Sequence, residues 1–242
     1  MERNVTLDFV RGVAILGILL LNISAFGLPK AAYLNPAWYG AITPRDAWTW
    51  AFLDLIGQVK FLTLFALLFG AGLQMLLPRG RRWIQSRLTL LVLLGFIHGL
   101  LFWDGDILLA YGLVGLICWR LVLQMPRELS APFQAIGYAS LFYGFWPQLS
   151  RFKLVLAIAC VGRMALTNYL LQTLICTTLF YHLGLFMHFD RLELLAFVIP
   201  VWLANILFSV IWLRYFRQGP VEWLWRQLTL RAAGPAISKT SR

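Results

Sequence analysis

Residues 13–28 are sixteen mostly apolar positions, interrupted only by Asn22 and Ser24, and they follow directly on Asp8 and Arg11. Taken from Asp8, the segment is long enough to cross a bilayer as one helix. Arginine near hydrocarbon is costly unless it snorkels, pairs or faces a wet cavity. Asp8 and Arg11 are three residues apart, share a helix face and can pair. Arg11 then reads either as a membrane-entry anchor or as a group pointing into a polar site between helices. Ala25-Phe26-Gly27 is a passable signal-peptidase site, but the apolar run is long for a signal and Asp8 is out of place in its basic flank. An uncleaved first span is the expectation.

The remainder repeats the pattern. Of 242 residues, 60% are hydrophobic and 13% charged, well away from the half-apolar, quarter-charged balance of soluble domains. The predicted fold is all-α: a polytopic transmembrane helical bundle of about seven spans, residues 1–242 forming one domain. The net charge of +11 does not point to nucleic acid, because the basic residues are segregated. Arg79, Arg81, Arg82 and Arg87 crowd one short segment without an acid, and Arg214, Arg217, Arg226, Arg231, Lys239 and Arg242 face Glu222 alone. By the positive-inside rule both regions are cytoplasmic, residues 217–242 as a basic tail, in a multi-pass inner-membrane protein whose partner is the lipid bilayer. Cys118, Cys160 and Cys176 are odd in number, lie in apolar runs and show no CxxC pairing, which argues against disulfides and thiolate metal sites.

Along the chain, span one covers 8–28 and a loop 29–42 carries the interface aromatics Trp38 and Tyr39. Thr43-Pro44-Arg45-Asp46 is a helix start, with Thr43 as cap, Pro44 in the first turn and Asp46 as the acid of a capping box. An amphipathic interface helix bearing Trp48, Phe52 and Leu55 follows, then a hinge at 57–60 and span two at 61–77. A basic loop at 79–87 leads into span three at 88–103, a turn at Asp104-Gly105-Asp106, and span four at 107–122. Beyond it come an apolar run at 133–146, a mixed stretch at 148–163 with Arg151, Lys153 and Arg163, span six at 164–183, a polar turn, and a last span at 194–216. Counted forward from the first span, the 133–146 run ends outside; counted backward from the basic tail, it ends inside. The conflict is resolved by a re-entrant piece at 154–162, or by spans missing near 121–124.

Four blocks carry a family resemblance: Leu7-Asp8-Phe9-Val10-Arg11-Gly12 and its continuation to Ile18; Phe65-Ala66-Leu67-Leu68-Phe69-Gly70-Ala71-Gly72; Gly95-Phe96-Ile97-His98-Gly99 with Asp104-Gly105-Asp106-Ile107-Leu108; and Gly162-Arg163-Met164-Ala165-Leu166-Thr167-Asn168-Tyr169-Leu170-Leu171-Gln172. As a set they resemble the YeiB-like family of uncharacterised bacterial inner-membrane proteins. Members of that family are longer, and the resemblance implies an internal shortening near 120–124. More distantly, the chain resembles transmembrane acyltransferases that carry an acyl group across the membrane from a cytoplasmic thioester. Some of those have a histidine eleven residues after the first-span arginine. Here that position is Asn22, which cannot act as a base but can orient a substrate or pair across helices.

The chemistry then gathers at two places. His98, with Asp104 and Asp106 just beyond it, is the candidate acid–base group, since a carboxylate can set the tautomer and basicity of a histidine. The same residues also read as a close helix contact and a tight turn. Asn168 and Gln172 share one face of span six and, with Asp8, Arg11, Asn22 and Arg163, are candidate substrate-binding residues, Arg163 being suited to a phosphate. They also read as polar glue between helices. No HxxxH, HExxH or cysteine cluster supports a metal site. The resemblance implies an acyltransferase-like membrane enzyme with an acyl-thioester donor; a small-molecule or proton-coupled transporter is the alternative, and a partner-binding scaffold a third.

Overall fold

The structure is a computed structural model describing residues 5–35, 37, 43–55, 59–124 and 151–233. Among them every regular element is helical. Among the described residues three helices are long and apolar enough to cross a membrane: α1 (Val5–Gly27), α5 (Arg81–Leu101) and α9 (Arg191–Tyr215). A fourth candidate is a broken one, in which α7 (Lys153–Arg163) meets α8 (Ala165–Thr177) and the π-turn Thr178–His182 at 88°. The shorter helices are α2 (Lys30–Leu34), α3 (Pro44–Leu53), α4 (Val59–Met75), α6 (Leu108–Gln124) and α10 (Pro220–Ala233). Trp38, Tyr39, half of the 57–60 hinge and the 133–146 run lie outside the described residues.

The chain divides into two compact units, residues 1–65 with 148–219 and residues 66–147 with 220–242. In the first unit α1 is the central helix. Val10, Ala14, Ile15, Ile18 and Ile23 are all at most 1% exposed, and α1 packs on α7, α8 and α9. Its closest neighbour is α7, because two glycines meet there. A Cβ on Gly12 would lie 2.1 Å from the Ile158 carbonyl oxygen, and one on Gly162 would lie 1.8 Å from that of Asp8. Backbone rests on backbone, the close approach that small residues permit between apolar helices.

α3 is held differently, since none of its residues is buried and Trp48, Phe52 and Leu55 are exposed. Thr43 caps it, accepting from the Asp46 N–H at 3.2 Å. Asp46 does not serve as the box acid foreseen from the sequence. Its carboxylate accepts from the Arg191 backbone at 3.1 Å and from Arg191 Nη1 at 3.0 Å, a charged and better-directed pair of donors. Arg191 Nη2 also reaches the Ala32 carbonyl at 2.8 Å. The neighbouring residues repeat the pairing with opposite sign, Arg45 bonding Asp190. The two adjacent residues of α3 are thus clamped by the two residues that open α9. Asp190 also closes a true capping box with Glu193.

The two halves of this clamp differ in burial and hence in worth. Arg191 is 3% exposed, whereas the Arg45 side chain is 58% exposed. Arg191→Ala strands Asp46 and is expected to cost about 3 kcal/mol, and Arg45→Ala far less because solvent screens its pair, as read from detergent-solubilised unfolding midpoints. The clamp also sets a pH dependence. Burial works against ionisation of Asp190, but the Glu193 backbone bond and Arg45 outweigh it and hold the carboxyl below its ordinary value. A depressed folded value gives stability that is complete above the unfolded value of about 3.9 and is lost as pH falls through the folded one. Acidification from pH 5 to pH 3 should therefore destabilise the wild type more than Asp190→Asn.

In the second unit α5 and α6 form a hairpin, with α10 packed on α5. Three glycines let the hairpin close. A Cβ on Gly95 would meet Leu109 N at 2.2 Å, one on Gly112 would meet Val92 Cγ2 at 2.7 Å, and one on Gly115 would meet Leu88 Cδ2 at 2.7 Å. Two sequence expectations are corrected in this unit. The basic loop is only a short 3-10 turn, Leu77–Arg79, closed by Gly80 at φ 91°. Arg81, Arg82 and Arg87 are already helical in α5, since arginine is a good helix former. Most of the described part of the basic tail is α10, a helix rather than a plain tail.

Candidate functional site

The α5–α6 hairpin brings His98 and Asp106 together. His98 Nδ1 lies 2.8 Å from Asp106 Oδ1, and both side chains are 3% exposed. An ionised carboxylate can only accept, so this contact favours the tautomer with the proton on Nδ1. Asp106 is fixed in turn, because its Oδ2 accepts the Leu109 backbone N–H at 2.8 Å. Leu109 belongs to the first turn of α6, where amide groups have no partner within the helix and a carboxylate is favoured. The ring of His98 stacks on Phe102 at 6.1 Å. Gly95, one turn before His98, has no Cβ to push Leu109 and Asp106 Oδ2 away. The Gly95-x-x-His98 spacing and the Asp104-Gly105-Asp106 turn thus serve one arrangement: a histidine oriented by a carboxylate that a helix start orients. Asp104 stays exposed in the turn, so Asp106 is the acid that takes the histidine.

The other candidates belong to the first unit. Asp8 and Arg11 lie 3.9 Å apart across one turn of α1, the aspartate buried and the arginine partly so. Gly12 and Gly162, their neighbours in sequence and in space, make the α1–α7 crossing, so Arg11 and Arg163 each adjoin the same contact. Arg163 Nη2 donates to the Arg217 carbonyl. Asn22 is half-buried on α1.

Asn168 and Gln172 face the interior, as their spacing requires. Asn168, fully buried, donates from Nδ2 to Ser209 Oγ at 2.8 Å and to the Met164 and Val161 carbonyls at 3.0 and 3.1 Å. Gln172 Nε2 reaches the Ile15 carbonyl at 3.4 Å, and Trp202 Nε1 the adjacent Leu16 carbonyl at 2.9 Å. Asn205 and Ser209 on α9, both 0% exposed, complete this polar seam; the sequence reading missed them. The signal was present, two polar residues four apart in an otherwise apolar helix. Asp46 and Arg191 were missed as a pair because 145 residues separate them. Among the described residues no group of three metal-ligating side chains occurs.

Residues 79–232 match the family described as "Protein of unknown function (DUF418)". The chain is 63% identical to the uncharacterised protein YeiB of Escherichia coli (strain K12), over an alignment of 385 positions covering 100% of each chain. It is 26% identical to the uncharacterised protein YxaH of Bacillus subtilis (strain 168), covering 99% of this chain and 97% of that one. The 385 positions exceed the 242 residues of this chain by 143 (385 − 242). The alignment therefore carries gaps in this chain. No solved structure matches.

Proposed function

The chain belongs to the DUF418 family, and from that premise we propose a multi-pass inner-membrane protein in which the His98–Asp106 pair carries a proton during acyl transfer. The observation that carries this reading is the pair itself: 2.8 Å between Nδ1 and Oδ1, both side chains 3% exposed, with the carboxylate anchored at a helix start. This is the geometry of a general base held in one tautomer by an acid. His98 Nε2 takes the proton of an acceptor hydroxyl while the hydroxyl oxygen attacks the thioester carbonyl, and it returns that proton to the leaving thiolate. In the other unit Arg11 and Arg163, beside the Gly12–Gly162 crossing, are cations suited to a phosphate. Asn168, Gln172 and Asn22 supply amides for orientation.

The basic residues of α5 and α10 favour a cytoplasmic C-terminal side. Placing the gap of the YeiB alignment near 120–124 removes the topological conflict of the sequence and leaves this chain an internally shortened version of an architecture with about seven or more spans. A proton-coupled transporter is the second reading, favoured by one observation: a pair this buried holds a proton without needing an open substrate site.

The test is binding of a labelled long-chain acyl thioester to the purified chain in lipid nanodiscs, with YeiB assayed beside it. Saturable binding that falls about tenfold or more in Arg11→Ala, the loss of one charge-assisted phosphate contact, is the expected result. No binding to either protein overturns the acyl-transfer reading, and proton-coupled uptake abolished by His98→Ala puts the transporter in its place.

A further inference from the structure

α10 is too short, at 14 residues, to cross a bilayer, and its two faces differ. One face is fastened to α5. Thr229 is fully buried, the Trp225 indole donates to the Arg87 carbonyl at 3.2 Å, and the Arg87 guanidinium lies 3.7 Å from the Trp225 ring centroid and 5.3 Å from that of Trp83. Among the described residues the opposite face is apolar and exposed: Trp223, Leu224 and Leu228 are 52%, 50% and 39% exposed. Arg226 and Arg231 flank it, both exposed, against the single acid Glu222. Arg79 in the turn before α5, and Arg81 and Arg82 at its start, exposed in the same unit, add to the positive charge.

We propose that α10 is an in-plane membrane-surface helix whose exposed Trp223–Leu224–Leu228 face enters the interfacial layer of a bilayer leaflet rich in anionic phospholipid, with Arg226 and Arg231 on the headgroup phosphates. An apolar face carrying tryptophan and leucine and flanked by arginine is the composition that binds anionic interfaces. The charge decides the occupant. A second copy of the chain would bring the same arginines against these, whereas anionic headgroups neutralise them. The Arg87–Trp225 stack fixes which face of α10 is turned outward, so the surface is built by the fold rather than formed on contact. This inference rests on the reading that the chain is embedded in a membrane.

The experiment places one cysteine at Trp223→Cys in a chain whose Cys118, Cys160 and Cys176 are replaced, reconstituted one copy per nanodisc. Its rate of modification by a water-soluble maleimide is compared in discs of phosphatidylcholine alone and of phosphatidylcholine with phosphatidylglycerol. Modification about tenfold or more slower in the anionic discs, with the slowing lost in R226A/R231A and in high salt, is the expected result. Equal rates in both lipids overturn the proposal, as does protection that follows the number of copies per disc rather than lipid charge. Failure of the chain to enter discs at all overturns the membrane reading itself.

Discussion

Gly162→Ala is expected to lower stability by about 3 kcal/mol or more, the upper end of overpacking costs, while Gly70→Ala leaves the protein at least as stable as the wild type. The contrast follows from what each new methyl would meet. At Gly162 it would sit 1.8 Å from the Asp8 carbonyl oxygen and 2.4 Å from Gly12 N. Both are backbone atoms of the central helix, so no side chain can rotate aside, and α1 and α7 must separate. Separation opens a contact that helps bury Val10, Ala14 and Ile15. At Gly70 nothing lies within 4 Å, and an alanine within α4 gains up to about 1 kcal/mol of helix propensity. Both glycines stand in segments that carry the family resemblance, yet only one is held by packing. Unfolding midpoints of the two variants in the same detergent decide the matter; equal losses would mean that the α1–α7 crossing is not as tight as described.

Asp106→Ala has the second large effect, about 3 kcal/mol, because it removes a charged partner from a buried histidine and the acceptor from the Leu109 N–H together. Asp106→Asn keeps a side-chain oxygen in place and should cost about 1 kcal/mol. The split between stability and chemistry separates the two readings of this site. If His98–Asp106 only joins α5 to α6, activity falls no further than the folded fraction. If it moves a proton, Asp106→Asn and His98→Gln lower turnover by about two to four orders of magnitude while the protein stays folded. Circular dichroism melts run beside turnover on the same preparations give both numbers.

The sequence announced these features unevenly, for physical reasons. Apolar runs made α1 and α9 legible to within about three residues, because a span must be long and apolar, whereas α5 begins seven residues before the expected 88 because its first turns are basic. Asp8–Arg11 and the Asn168–Gln172 face followed from helix periodicity alone. His98 was found, but its partner was left open between Asp104 and Asp106, since only the close α5–α6 approach at Gly95 decides which acid reaches the ring. The Arg191–Asp46 clamp was invisible because nothing local marks two charges that meet across 145 positions. Its residues looked like an ordinary cap and an ordinary turn. α10 was hidden for another reason: charge density made residues 217–242 read as a tail, although Trp225 and Thr229 share a face that packs on α5.

Single-turnover acyl transfer measured in wild type and in folded His98→Gln tests the account most directly. It predicts that labelled acyl leaves a thioester for a lipid or sugar acceptor in the wild type and stays on the thioester in His98→Gln, with unchanged unfolding midpoints. Transfer at the same rate in both, or none in the well-folded wild type and in YeiB alike, would contradict it.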